Sequence, residues 1–147
     1  MNRLLKMAGI LAAGIVAGTL GLFLVYLLPV QYMQENMRES LPGVMSEGEN
    51  PFLIEGYKGS SLDNYTDAIM LGSAVYESDM PFWQKAVRVP RAAGVEDAPM
   101  ESLDHYLLGG ENDQESEYAR YWHGYLLLLK PLLLFLNYGQ IRIVNGC

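Results

Sequence analysis

From Met7 to Val30 the chain reads MAGILAAGIVAGTLGLFLVYLLPV, 24 residues without a charge. A helix rising ~1.5 Å per residue crosses the ~30 Å hydrocarbon layer in about 20 residues, so this run predicts a transmembrane helix. Gln31 to Met45 continues it for a turn or two until Pro42-Gly43 stops it. The polar loop Ser46 to Asn50 and the short apolar run Phe52-Leu53-Ile54, a strand or an anchoring loop, come next.

The clearest helix outside the span starts near Ser60 or Ser61. There Leu62, Tyr65, Ile69, Ser73 and Tyr76 keep helical spacing, with Asp63 and Asp67 at i, i+4 on another stripe. Met80-Pro81-Phe82-Trp83 turns the chain, and Pro90 and Pro99 bracket a loop from Arg91 to Ala98. Glu101 to Leu108 reads as a short helix stopped by Gly109-Gly110, and Glu111 to Glu117 as a solvated acidic stretch. Leu126 to Leu136 is apolar apart from Lys130 and too short to span cleanly, with Tyr118, Tyr121, Trp122 and Tyr125 on its leading side. That pattern fits an interfacial or re-entrant helix, a kinked second span, or a buried soluble helix. Pro131 predicts a kink, and Lys130 predicts an ammonium extended to headgroup depth.

These patterns define a mainly α chain in four zones. Residues 1–6 form a cytoplasmic N-terminus and 7–30 a transmembrane helix. Residues 31–117 form an irregular helical extracytoplasmic region, and 118–147 an amphipathic or re-entrant membrane segment. Charge supports this topology. Arg3 and Lys6 precede the span, whereas all seventeen acids lie between Glu35 and Glu117. Against six bases, Gln31 to His123 therefore carries a net −11. By the positive-inside rule the N-terminus is cytoplasmic and the acidic zone lies outside a cell membrane. The exit Leu28-Pro29-Val30 lacks the paired small residues of a cleavage site, which favours an uncleaved signal anchor over a removed signal peptide. A net charge of −7 excludes general nucleic-acid binding, and the single Cys147 excludes a disulfide framework.

Candidate chemistry is sparse. Asp63 and Asp67 could share a divalent cation or supply a carboxylate base, and they compete with a reading as a solvated helix face. His123 sits in Arg120-Tyr121-Trp122-His123-Gly124, where a titratable ring at an aromatic boundary could meet a phosphate or a sugar. With only His105 and His123, a transition-metal site is disfavoured. Lys85 and Arg88 would share a helix face and could hold a lipid-linked phosphate, or compensate Glu77 and Asp79. Gly14, Gly18 and Gly21 make a small-residue groove for close helix packing, in trans or with later helices of the same protein. Asn64-Tyr65-Thr66 fits the N-glycosylation pattern.

The order of parts resembles the opening of a multi-pass membrane glycosyltransferase of the GT-C class, or a related uncharacterised polytopic protein. Leu62-Asp63-Asn64-Tyr65-Thr66-Asp67-Ala68 sits where that class places an acid after its first span, and Tyr121 to Leu126 with Lys130-Pro131 resembles a re-entry segment. The resemblance implies transfer from a lipid-linked sugar, with Asp63, Asp67 and His123 as catalytic candidates. It also implies that the chain is a fragment or short relative of such a protein, inactive alone. The class's paired acids near the first span are absent; the only adjacent acids are Glu96-Asp97. The alternative is a non-catalytic single-span protein that binds a membrane partner through its Gly-rich helix and acidic outer segment.

Overall fold

A computed structural model of the chain describes residues 2–94, 98–110, 115–119 and 123–146. Glu96, Asp97, Arg120, Tyr121, Trp122 and Cys147 therefore lie outside the described residues. The fold is mainly helical, with a two-stranded antiparallel ribbon. Helix α1 (Asn2–Val25) is the long apolar helix, and an 18-residue stretch within Arg3–Val25 has a mean hydropathy of 2.2. It ends five residues earlier than the uncharged run. Leu27 and Leu28 tighten into turns onto Leu24 and Val25, and the fixed φ of Pro29 starts a new helix.

That helix, α2 (Val30–Glu47), is separate from the span and passes through Pro42, stopping only at Gly48 with φ +78°. It turns Met33, Met37, Leu41 and Val44 inward, a spacing of four, four and three that makes one continuous face. Helix α3 (Asn64–Val75) lies at the centre, buried nearly all round. Helix α4 (Phe82–Arg88) follows, then strand β1 (Pro90–Ala92), helix α5 (Pro99–Leu107), strand β2 (Glu115–Glu117), and helices α6 (Leu126–Leu133) and α7 (Tyr138–Val144). Part of the expected 91–98 loop and of the acidic stretch thus pairs as strand, Arg91 opposite Ser116. Phe52 forms an isolated bridge with Ser61.

The polar side chains of α2 terminate other helices. A helix leaves its last carbonyls without intrahelical donors, and burial makes those orphans costly. Gln34 Nε2 donates to Val75 O at the end of α3 (3.1 Å), and Arg38 Nε to Leu107 O at the end of α5 (2.7 Å). Asn36 Nδ2 donates to Leu133 O at the end of α6 (2.8 Å). A second buried carbonyl in the last turn of α3, Ala74 O, accepts from Lys130 Nζ at 2.6 Å. Lys130 is therefore not extended toward headgroups. It is 1% exposed and lies 5.0 Å from the centre of the Tyr26 ring. Desolvation, with a smaller push from Lys85, lowers its ammonium to about 8.

Pro131 lies inside α6, which packs against α1, α2, α3 and α7. The last turn of α1 belongs to the same core. Leu22, Val25 and Tyr26 are buried there, while Leu4, Leu5, Ile10, Leu11 and Ile15 stand exposed on the rest of the helix.

Candidate functional site

Asp63 is the N-cap of α3. Its carboxylate accepts from Thr66 N (2.9 Å) and Thr66 Oγ1 (2.6 Å), and these bonds hold it below the usual carboxylate range. Asp67, one turn on, is half-buried and accepts from the Tyr138 hydroxyl of α7. Burial raises its pKa more than the Tyr138 bond and Arg142 lower it. Beside them, Arg142 Nη1 pairs with Glu47 Oε2 at 2.7 Å and its guanidinium lies 5.7 Å from the Tyr138 ring centre. Burial would raise Glu47, yet hydrogen bonds from Arg142 and Asn64 outweigh it and hold the carboxyl low.

Asp63, Asp67, Tyr138 and Arg142 line a cleft of about 280 Å³ with Ser61, Leu62 and Asn145. It lies between the start of α3 and α7, with Glu47 of α2 held to its Arg142. The two aspartates do share one cleft, as their spacing suggested, but both oxygens of Asp63 are bonded to Thr66 and one of Asp67 to Tyr138. No group of three or more Asp, Glu, His or Cys side chains placed to hold a metal ion occurs among the described residues. Asn64 is fully buried and donates to Gly48 O (2.8 Å) and Glu47 Oε2 (3.2 Å), which leaves no room for a sugar on its amide.

His123 does not line that cleft. It is 4% exposed, with Nδ1 3.2 Å from Tyr125 Oη and its ring edge-on to Tyr118 and Tyr125. Burial lowers its pKa, so the ring stays neutral at pH 7. The three residues nominated for catalysis therefore do not converge. Lys85 and Arg88 lie on α4 as their spacing predicts, but Arg88 Nη1 pairs with Glu117 Oε1 at 2.9 Å on an exposed surface. The acid it compensates is thus Glu117 of β2, in place of Glu77 or Asp79.

No family model matches the chain, and no curated protein or solved structure matches it.

The small-residue face of α1 divides in two. A Cβ placed on Gly21 would meet Leu127 Cδ2 at 2.8 Å, so Gly21 serves packing within the chain. A Cβ on Gly14 would meet nothing within 4 Å, and Gly14 and Gly18 open a groove between Ile10, Leu11, Ile15 and Thr19. Sequence reasoning missed Tyr138 and Arg142, which complete the polar cleft, and Glu47, which pairs with Arg142. The signal was present in Asn137 and Gln140, whose reciprocal capping box starts α7 and so places Tyr138 and Arg142 on a helix.

Proposed function

We propose that the protein is an uncleaved single-span anchor which displays a small helical domain on the outer face of a membrane and acts by binding. The observation that carries this reading is the burial of Leu22, Val25 and Tyr26 in the domain core. Signal cleavage near Pro29 would remove these side chains and uncover Lys130, whose ammonium packs against Tyr26. A segment that completes the core is kept. Arg3 and Lys6 hold the N-terminus in the cytoplasm, and the acidic residues face outward. The open Gly14–Gly18 groove then takes a partner helix within the bilayer.

Sugar transfer finds no support in this geometry. Asp63 caps a helix, Asp67 holds Tyr138, and His123 lines another part of the fold. Mass spectrometry of the protein extracted from its native membrane tests the anchor. The expected product retains Arg3 to Pro29; a mature species beginning beyond Pro29 would overturn the reading. For topology, a cysteine at exposed Glu77, with Cys147 changed to serine, should label from outside and one at position 3 should not. Val75 is fully buried and unsuitable as a reporter.

A further inference from the structure

Helix α4 carries an apolar stripe that the domain does not cover. Trp83 and Val87, one turn apart, are 50% and 66% exposed, and Phe82 is 40% exposed. Ala86, which flanks this stripe on the helix, packs on the core. The position of this stripe along α1 is fixed by a ring contact. Phe82 meets Phe23 edge-on with centroids 5.7 Å apart. From Arg3 to Phe23 is twenty helical steps, about 30 Å, the thickness of the hydrocarbon layer. With Arg3 at the cytoplasmic boundary, Phe23 and the start of α4 fall at the outer one.

We propose that α4 lies in the outer headgroup layer of the bilayer that α1 crosses, with Trp83 and Val87 inserted among the lipids. The proposal rests on the anchor reading and adds a second, peripheral membrane contact that fixes the domain's face toward the lipid. Three features favour lipid over a protein partner. The stripe is continuous with a lipid-facing helix through Phe23. Its exposed Trp83 is of the type that occupies the interfacial belt, where a ring sits at headgroup level, with Phe82 and Val87 as apolar neighbours. Lys85 and Arg88 give this short helix two cations in an otherwise acidic domain. Because Arg88 already pairs with Glu117, the rings carry the attachment and zwitterionic lipid suffices.

The sequence holds two tryptophans, Trp83 and Trp122, so Trp122→Phe leaves Trp83 as sole reporter. The full-length variant is reconstituted into phosphatidylcholine vesicles brominated either high on the acyl chain or near the bilayer centre. The expected result is loss of roughly half the Trp83 emission with the shallow quencher and little with the deep one, as an interfacial ring requires. If Trp122→Phe disturbs folding, the difference between wild type and Trp83→Phe gives the same quantity. Unquenched Trp83 emission in protein that stays with the vesicles through alkaline carbonate overturns the α4 proposal and leaves the anchor standing. Release by carbonate overturns both.

Discussion

Replacing Lys130 with methionine exposes the balance between a buried charge and the carbonyl it serves. In the wild type the ammonium donates to Ala74 O at the end of α3, a position where the helix dipole also favours a cation. Against that stands desolvation, which brings the pKa from 10.5 down to about 8, a shift worth about 3 kcal/mol against the charged form. The folded state thus sheds the proton more readily than the unfolded chain. Between about pH 8 and 10.5 the unfolded chain binds more protons, so stability rises with pH there and the penalty is fully present below it. From about pH 7.5 to 9.5 the wild type should gain about 2 kcal/mol from this group. Tyr125, raised to about 12 by burial, destabilises the fold only where an unfolded tyrosine ionises, near pH 10 and above. Lys130→Met removes the penalty but leaves Ala74 O without its donor, a loss of about 1–3 kcal/mol, so its stability at neutral pH should stay close to wild type. Denaturant unfolding of the full chain in mild detergent, followed by tryptophan fluorescence at both pH values, reads the difference. Equal pH slopes in the two proteins would refute the account.

The remaining predictions separate packing from capping. Arg38→Ala should destabilise by about 1.5–3 kcal/mol by leaving the end of α5 uncapped, read by the same unfolding assay. Gly21→Leu should cost about 1–3 kcal/mol by driving a side chain into Leu127, whereas Gly14→Leu should leave unfolding unchanged. In native membranes Gly14→Leu should instead abolish cross-linking between α1 and its partner helix; unchanged cross-linking would remove the groove from the proposal. Asp63→Ala should cost about 1 kcal/mol through loss of the α3 cap, with most of the effect restored by Asp63→Asn. Because the Asp63 carboxyl is held low, the wild type's advantage over Asp63→Asn should be present above the unfolded value near 3.8 and fade as pH falls through the folded one.

The elements legible in the sequence are those whose cause is local. A run of 24 uncharged residues announces α1 because lipid tolerates no charge, and Asp63 with Thr66 marks the start of α3 within a few residues. Sequence pattern alone makes α2 a continuation of the apolar helix, whereas Pro29, a starter of helices as well as a breaker, carries the boundary. Its inward face of Met33, Met37, Leu41 and Val44 was visible in principle. What no local pattern reveals is the use of Gln34, Asn36 and Arg38 as caps on helices 41, 97 and 69 residues away. Lys130 fails the same way. An isolated lysine in a leucine run reads as headgroup-seeking, and only the distant carbonyl of Ala74, 56 residues earlier, explains its burial. The polar cleft was half legible, since Asp63 and Asp67 neighbour each other in sequence while Tyr138 arrives from 71 residues beyond Asp67.

The join between α1 and the domain has a dynamic consequence. Only the turn from Tyr26 to Pro29 separates α1 from α2, and Tyr26 itself is buried. A flexible tether would let a head group sweep a volume of solvent and raise its local concentration toward distant targets. Here there is no such search. In the proposed anchor, tilting of α1 would move the whole head as one lever, and encounters would be set by two-dimensional diffusion in the plane of the membrane.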